Sequence, residues 1–224
     1  MYSLKYCINI RPSVSILLPT YNRKSFERLI EFNINNQDYT NIKEVVICDD
    51  SDDNLILDIP YDIIYIKKKT KMDLGEKRNL LCEMATGEVL VNIDTDDLYN
   101  KSYISYSIEE MIKQNKSVSG TSSMLIYFIK EKKKCELINH SYYKANEGTL
   151  VFRKSYWEQN KFSNKLQEGI EFLKGNSYQI ANVSIANIMV CLAHESNSVC
   201  KKRWLKNEYK GNDFPDVSIL DNLI

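Results

Sequence analysis

Three aspartates stand within four positions of the stretch NIDTDD, at Asp94, Asp96 and Asp97, directly after an apolar run. In an extended chain, residues two apart point to the same side, so Asp94 and Asp96 would present their carboxylates together. Two carboxylates on one side favour a divalent cation, and ligation by oxygen suits Mg²⁺ or Mn²⁺. An isolated pair of this kind is usually a solvated loop, and it is the position after a buried strand that favours a metal site.

A second acidic cluster, CDDSDDN, contains Asp49 and Asp50 at the end of another apolar run. It does not fit a calcium-binding EF-hand loop, because Leu55 stands where the turn glycine belongs and no Glu follows at the right spacing. Two interpretations stay open for this cluster. It is a polar turn, or it supplies a carboxylate that accepts from the N–H of a nucleobase or from a ribose hydroxyl.

Arg78 shares a helical stripe with Leu74, Leu81 and Ala85, the stripe expected to face the interior. A guanidinium on an inward face must find a partner. Arg78 is therefore a snorkelling side chain or a structural ion pair, or else it reaches an acidic strand end or a ligand phosphate.

The elements that position these side chains can be predicted from periodicity. In the first half, short β-branched or apolar runs predict strands, and apolar residues at helical spacing predict helices. Ser25 is a candidate helix cap, while Asp73 with Glu76 opens the next helix and Gly87 closes it. The predicted strands are 14–19, 44–48, 62–66 and 88–94, and the predicted helices are 25–34 and 73–87.

This alternation predicts an α/β fold with a parallel-type sheet covered by helices. Ligands of such sheets collect beyond the carboxyl ends of the strands. Those ends carry Thr20, the pair Asp49–Asp50 and the cluster Asp94–Asp97. The acidic clusters therefore lie where a ligand is expected.

The second half of the chain is less regular. Its last apolar run, IANIMVCLAH, reads as a buried strand that delivers His194. Taken alone, His194 is better explained as a hydrogen-bonded core histidine than as a metal ligand. The elements predicted here are helices at 102–114, 155–160 and 169–175, and strands at 122–130, 148–154 and 185–194.

Composition limits the class of protein. The 224 residues suffice for one sizeable domain, and 43% apolar residues fit a folded chain. Lys plus Arg and Asp plus Glu both number 30, so a nucleic-acid partner is not expected. The lysine runs 67–71 and 130–134 have no interleaved aromatic residues and are expected to be solvated loops.

Cysteine usage and hydropathy predict a cytoplasmic protein. The six cysteines form no CxxC pair, so reduced thiols are expected rather than a zinc site. The first 13 residues contain no long apolar stretch, so no signal peptide is expected. The run 185–195 is too short for a transmembrane segment, since a span needs about 20 apolar residues.

Three blocks in order, VSILLPTYNR, EVVICDDSDD and GEKRNLLCEMATGEVLVNIDTDDLY, resemble the family-2 glycosyltransferases of the GT-A fold. Later stretches, EGTLVFRKSYWEQNKF, LQEGIEFL and CLAHESNSVCKKR, resemble the family more weakly. The resemblance implies a Rossmann-like mixed sheet flanked by helices in a single domain, 1–224. In that domain, 1–97 would bind the nucleotide-sugar and 98–224 would face the acceptor.

The resemblance also implies roles for individual residues. The block after the first strand would hold the nucleoside, Asp49 would meet the uracil or ribose with Asp50 beside it, and Arg78 would lie near the base. The motif Asp94–Thr95–Asp96 would bind the donor ribose and the metal, with His194 as a third metal ligand. Gly148 would belong to a glycine loop beside the acceptor, and His140 receives no role. The block that would hold the nucleoside is Pro19, Thr20, Tyr21, Asn22 and Arg23.

The resemblance is weakest in the block that would supply the catalytic base. The family's block usually reads Glu-Asp, and the second acid is generally the base. This chain has Glu168 followed by Gly169, and glycine cannot accept a proton. Glu168 is the preferred candidate because it is adjacent, and Glu171 is the other, three residues further on.

The implied activity is metal-dependent transfer of a sugar from a nucleotide-sugar, expected to be a UDP-sugar, to a carbohydrate or glycoconjugate hydroxyl, with inversion. Mn²⁺ or Mg²⁺ would neutralise the charge that develops on the diphosphate. One alternative is a sugar nucleotidyltransferase, although PTYNRKSF lacks the glycines of a phosphate loop. The other is a non-catalytic sugar-binding module, motivated by Gly169.

Overall fold

The computed structural model describes residues 11–138, 145–164, 168–197 and 199–224. The strands are β1 (Val14–Thr20), β2 (Ile42–Asp49), β3 (Asp62–Lys67), β4 (Val89–Asn92), β5 (Leu98–Tyr99), β6 (Val118–Gly120), β7 (Met124–Phe128), β8 (Lys133–Leu137), β9 (Val151–Arg153), β10 (Ile180–Asn182) and β11 (Met189–Ala193). The α-helices are α1 (Glu27–Asn35), α2 (Leu74–Met84), α3 (Tyr103–Lys113), α4 (Lys154–Gln159), α5 (Gly169–Leu173) and α6 (Leu220–Leu223).

The larger sheet has the strand order β10-β6-β9-β4-β1-β2-β3. Strands β1 to β4 all run parallel to one another, with β1 between β2 and β4. Strand β9 is antiparallel to both β4 and β6, so the sheet is mixed, as predicted. Strands from both sides of residue 97 therefore build one sheet. A smaller sheet has the order β5-β11-β7-β8.

The core lies on both faces of the larger sheet. Along β1, Ile16 and Leu18 belong to the core cluster that includes residues of α1 and α3, whereas Leu17 belongs to the cluster on the other face with residues of α2. Alternate side chains of a strand point to opposite faces. Because helices cover both faces, the strand is apolar at successive positions, which explains the run that predicted it.

Most predicted elements of the first half are confirmed with shifts of a few residues. The helix predicted from residue 25 begins as a 3₁₀ turn at Lys24–Phe26 and becomes α-helical at Glu27. Ser25 lies inside that turn and does not cap the helix. The helix predicted to 87 ends at Met84, because Ala85 is already extended.

Two errors in the predicted strands affect the site. The strand predicted to Asp94 ends at Asn92, so Asp94 and Asp96 lie in the turn that joins β4 to β5 and not on one extended face. The last strand begins at Met189 rather than at Ile185, because Ile185–Asn187 form a 3₁₀ turn. That strand ends at Ala193 and leaves His194 in the following loop.

A third predicted strand, 148–154, is shortened at its start. Residues Glu147–Thr149 form a 3₁₀ turn, and the strand runs only from Val151 to Arg153. The turn places the backbone of Gly148 next to the acidic turn after β4.

Two further observations concern sequence features. Within the described ranges, no helix combines the length and apolar character needed to cross a bilayer. Cys48, Cys82, Cys135, Cys191 and Cys200 are free thiols. Cys7 and His140 lie outside the described residues.

Candidate active site

The candidate site lies at the edge of the larger sheet where the parallel strands β1, β2 and β4 end. Thr20 and Asp49 are paired at the last position of the β1–β2 ladder, and Asp94 follows β4 by two residues. The fold therefore gathers the acidic strand ends at one edge, as the sequence predicts.

Arg78 is the centre of the charge network at this edge. Its Nη2 donates to Oδ1 of Asp94 and its Nε donates to Oε1 of Glu168, each at 3.0 Å. The guanidinium is buried, and its Nη1 has no hydrogen-bond partner among the described residues. Burial disfavours the charge, but the carboxylates of Asp94 and Glu168 outweigh it and raise the pKa of Arg78. Arg78 thus forms ion pairs with two carboxylates and keeps one donor nitrogen, Nη1, without a partner in the described chain.

Asp94 sits between the protein interior and solvent. Its backbone N–H donates to the hydroxyl of Tyr99, which donates in turn to the carbonyl of Gly148. A Cβ on Gly148 would lie 2.6 Å from Oδ2 of Asp94, so only glycine permits this approach. The Asp94 side chain is 31% exposed, so its carboxylate is open to a ligand from one side.

Asp96 belongs to a second cluster. Its Oδ2 lies 2.9 Å from Nη2 of Arg23 and 3.1 Å from Nε2 of His194. Burial opposes ionisation, but the hydrogen bond with His194 and the positive charge of Arg23 prevail and lower the pKa of Asp96 to about 2. Its neighbour Asp97 is buried, which together with the charge of Asp96 raises the pKa of Asp97 to about 7.

The predicted three-ligand metal set is not assembled in the described part of the chain. Asp94 is paired with Arg78, whereas Asp96 is paired with His194, because the turn after β4 sends the two carboxylates to different partners. No group of three His, Cys, Asp or Glu side chains among the described residues could hold a metal. Asp96 and His194 remain as a two-ligand pair.

The geometry of this pair suits a hard divalent cation. Two adjacent ligands of an octahedral ion at about 2.1 Å lie about 3 Å apart, and Oδ2 of Asp96 is 3.1 Å from Nε2 of His194. Nε2 of His194 shares hydrogen bonds with Asp96 and Asn197, which a cation would replace, and the Ser196 hydroxyl 2.8 Å from Nδ1 would then hold the ring in place. Arg23 shares the same carboxylate oxygen, so a cation here would compete with its guanidinium.

Asp49 and Asp50 are occupied by protein partners. Asp49 accepts from the backbone N–H and hydroxyl of Ser51, from the Tyr65 hydroxyl and from Lys67. Burial alone would raise the pKa of Asp49, but these hydrogen bonds lower it. Its side chain has no exposed surface, so a nucleobase could reach it only by displacing one of these partners.

Asp50 pairs with a buried lysine. Nζ of Lys77 donates to Oδ1 of Asp50 at 2.5 Å and to the carbonyl of Thr20 at 2.8 Å. The N–H of Met72 donates to the other carboxylate oxygen of Asp50. Lys77 was not identified from the sequence, where it precedes Arg78 in the KR pair and reads as a surface lysine.

The block predicted to hold the nucleoside is partly open. Pro19 and Thr20 end β1, and the hydroxyl of Thr20 is buried without a partner among the described residues. Asn22 adopts φ +53°, and its N–H donates to the hydroxyl of Ser51. Tyr21 is exposed with Nζ of Lys71 4.4 Å from its ring centre. Thr95, in the acidic turn, is buried.

The two predicted base candidates have different environments. Glu168 is buried at the start of α5 and bound to Arg78. Glu171 is more exposed on the same short helix, 3.8 Å from Nζ of Lys174. The structure thus brings Glu168 into the Arg78 network and leaves Glu171 outside it.

A third acid in this region, Glu147, was missed. Its Oε1 accepts from the backbone N–H of Gly169 at 3.1 Å. Burial and the nearby charge of Glu168 raise the pKa of Glu147, despite the opposing charge of Arg78. Its position directly before Gly148 was the only available signal, because nothing in the sequence relates residue 147 to residue 169.

Comparison with known proteins identifies relatives of this architecture. S. aureus TarS residues 1–349, in complex with UDP-GlcNAc, superimposes with a TM-score of 0.63 at 16% identity over 88% of this chain and 61% of that one. A mannosyltransferase from Pyrobaculum calidifontis, in complex with GDP-Man and Mn²⁺, gives a TM-score of 0.60 at 16% identity over 87% of this chain and 59% of that one. These matches confirm the predicted GT-A fold.

Sequence relatives agree with the fold. A Haemophilus influenzae protein named "Uncharacterized glycosyltransferase" is 24% identical over 131 residues. The match covers 58% of this chain but only 42% of that relative. The family described as glycosyl transferase family 2 matches residues 15–171, which include the acidic turn, Arg78, Glu147 and Glu168. Since that match spans well over half of the chain, the protein belongs to glycosyl transferase family 2.

Proposed function

We propose that this protein transfers a sugar from a nucleotide-sugar, with a UDP-sugar as the favoured donor, to an acceptor hydroxyl with inversion at the anomeric carbon. The observation that carries the proposal is the buried Arg78–Asp94 ion pair at the carboxyl edge of the sheet. It joins the Asp94 carboxylate, which is open to solvent, to the Arg78 guanidinium, whose Nη1 has no partner among the described residues.

Unused polar groups at this edge favour an anionic, oxygen-rich ligand. The hydroxyl of Thr20 and Nη1 of Arg78 are both buried without a partner in the described chain. An unsatisfied buried group costs about 1–3 kcal/mol, which a ligand oxygen would offset. A nucleoside diphosphate offers ribose hydroxyls and phosphate oxygens to such groups.

A divalent cation would bind at Asp96 and His194, with phosphate oxygens of the donor and water as its other ligands, as Mg²⁺ and Mn²⁺ sites commonly have. When bound, it supplies positive charge that stabilises the departing diphosphate. Arg23, on the same carboxylate, would hold Asp96 ionised and oriented before the donor arrives. The Mn²⁺ in the P. calidifontis complex supports this assignment.

Direct inversion needs a base for the attacking hydroxyl, because a neutral hydroxyl is a weak nucleophile. The carboxylates around Arg78 are the candidates on this chain. Donor preference rests on the TarS complexes with UDP-GlcNAc and UDP, although the mannosyltransferase complex holds GDP-Man.

A second candidate function is a nucleotide-sugar-binding module without transferase activity. Glycine at 169 and the commitment of Glu168 to Arg78 are the observations that favour it. Such a module would bind donor and release no nucleotide.

One experiment separates these functions. Thermal unfolding is measured with UDP-glucose, UDP-GlcNAc and GDP-mannose, each with and without Mn²⁺, and release of UDP or GDP is then followed. A transferase is expected to be stabilised by one donor in a Mn²⁺-dependent way and to release its nucleotide slowly to water and faster with a sugar acceptor. The exposed Arg28→Met variant is the control for Arg78→Met, which should lose the stabilisation. Stabilisation by no donor would contradict both functions.

A further inference from the structure

Three carboxylates surround Arg78, and only two of them bind it. Asp94 and Glu168 each accept a hydrogen bond from the guanidinium. Glu147 instead accepts from the backbone N–H of Gly169, and no cation among the described residues lies within ion-pair distance of it. Glu147 is therefore the acid of this cluster whose charge is not directly neutralised.

The difference in pairing bears on which carboxylate can take up a proton. The carboxylates of Asp94 and Glu168 already accept hydrogen bonds from the Arg78 guanidinium, whereas the carboxylate of Glu147 does not. A carboxylate that is partly buried beside another carboxylate holds a proton more readily. The raised pKa of Glu147 has these two causes, burial first and Glu168 second.

The Glu147 side chain occupies the space that a side chain at position 169 would need. A Cβ built on Gly169 would lie 2.8 Å from Oε1 and 2.9 Å from Cγ of Glu147. No side chain at 169 could coexist with Glu147 in this position. The carboxyl group of Glu147 thus fills the space into which an acid at position 169 would extend, and position 169 is where an acid was expected from the sequence.

The backbone holds Glu147 next to the donor-binding turn. Nδ2 of Asn92, the last residue of β4, donates to the Glu147 carbonyl at 2.8 Å. The next residue, Gly148, packs against the carboxylate of Asp94. The Glu147 side chain consequently spans from the acidic turn after β4 to the start of α5.

We propose that Glu147 is the general base of the transfer reaction, an inference that rests on the proposed function. As the acceptor oxygen attacks the anomeric carbon, its proton passes to the Glu147 carboxylate. The bond from that carbon to the diphosphate oxygen breaks, and its electron pair leaves with the nucleotide. Glu168 is then a positioning residue that orients Arg78, and Glu171 takes no part.

The test compares three conservative variants with the donor that the wild-type protein turns over. Loss of a general base costs about 10²–10⁴-fold in rate. Glu147→Gln is expected to lower kcat by that order, while donor affinity and the unfolding temperature stay near wild type. Glu158→Gln, at an exposed acid of α4, is the control and should keep its turnover. Glu168→Gln should lower both donor affinity and unfolding temperature, because it loosens Arg78.

A relocated acid provides a second test. In the double variant Glu147→Ala/Gly169→Asp, the smaller alanine vacates the space for the new carboxylate. This variant should recover at least about tenfold of the turnover lost in Glu147→Ala, within the range ascribed to a general base. Such rescue is not expected if Glu147 only stabilises the fold.

Two results would overturn the assignment. One is wild-type turnover in Glu147→Gln; the other is a loss of activity in this variant that matches a loss of donor affinity. A wild-type protein that binds none of the donors contradicts the proposed function as well, whereas wild-type turnover with an active Glu147→Gln contradicts only the role of Glu147.

Discussion

Nη2 of Arg78 lies 3.0 Å from Oδ1 of Asp94, which ties helix α2 to the turn after β4. The two side chains differ in exposure, since the guanidinium is buried and the carboxylate is partly open to solvent. The two residues therefore have different roles. Arg78 stabilises the protein and positions the acid, and Asp94 presents an oriented carboxylate to a ligand.

Replacing Arg78 by methionine should reduce both stability and donor affinity. The apolar stem is kept, but Asp94 and Glu168 lose their common cation. Breaking a buried ion pair on one side costs about 3–5 kcal/mol. Denaturant unfolding of Arg78→Met and of the exposed control Arg28→Met measures this cost, and calorimetry with UDP on folded protein measures the affinity. A variant with unchanged stability and affinity would show that the ion pair is not needed for either.

The strands that form this edge of the sheet can be predicted from the sequence, because a parallel strand buried on both faces is a continuous apolar run. The segments 16–19, 45–48 and 89–91 are apolar throughout, and acids follow the second and third of them. The stripe through Arg78 similarly required a buried partner, and the structure supplies two.

The pairing of the acids could not be predicted in the same way. Asp94 and Asp96 are two apart, so an extended chain would have placed them together, but the strand ends at Asn92 and a turn follows. The partner of each aspartate then depends on where the fold places Arg78 and His194, which come from distant parts of the sequence. Local periodicity carries no information on such contacts, and the same holds for Glu147 and Gly169.

The Asp96–His194 pair should decide the affinity for Mn²⁺. Asp96→Ala removes the better ligand, so we expect Mn²⁺-dependent donor binding to be lost. His194→Ala should weaken it, and Asp94→Ala should leave the dependence on Mn²⁺ in place while lowering donor affinity, because Asp94 pairs with Arg78. Calorimetric titration of Mn²⁺ in the presence of UDP measures each effect.

Arg23 binds the same Asp96 carboxylate that would hold the metal, so its removal is a second test of the metal site. Its guanidinium lies 2.9 Å from the same Asp96 oxygen, so Arg23→Met should free the oxygen and raise the affinity for Mn²⁺. Unchanged Mn²⁺ affinity in Asp96→Ala, on protein shown to be folded, would contradict the metal assignment and leave Arg23 as the resident cation of this cluster.

Gly148→Ala tests the close approach between the 147–149 turn and the acidic turn. The added Cβ would lie 2.6 Å from Oδ2 of Asp94 and 3.2 Å from the Tyr99 hydroxyl. The Asp94 carboxylate must move away from Arg78, or one of the two turns must shift, so donor affinity should fall by about tenfold or more, which corresponds to ~1.4 kcal/mol. Gly175→Ala is the control, because its Cβ would meet nothing within 4 Å and the positive φ of +71° alone should reduce stability. Equal donor affinities in the two variants would argue against a role for the approach.

Glu44, far from the site, should make stability depend on pH in the acid range. Its Oε1 accepts from the Ser15 hydroxyl and from the N–H and hydroxyl of Thr86, at 2.6, 2.6 and 2.9 Å. Burial alone would raise the pKa of Glu44, but the hydrogen bond from Ser15 and those from Thr86 outweigh it and lower the pKa. The folded protein therefore binds this proton less readily than the unfolded chain.

The sign of the effect follows from that difference. A lowered pKa in the folded state contributes stability above the unfolded value, about 4.3 for Glu, and this contribution is lost as the pH falls through the folded value. Glu44→Gln keeps an oxygen acceptor but not the charge, so it should cost about 1.5–3 kcal/mol at pH 7. Unfolding free energies of wild type and variant should converge as the pH is lowered from 5 toward 3, whereas the exposed control Glu83→Gln should follow wild type throughout. A constant difference between wild type and Glu44→Gln over this range would mean that Glu44 stabilises the fold by shape and not by charge.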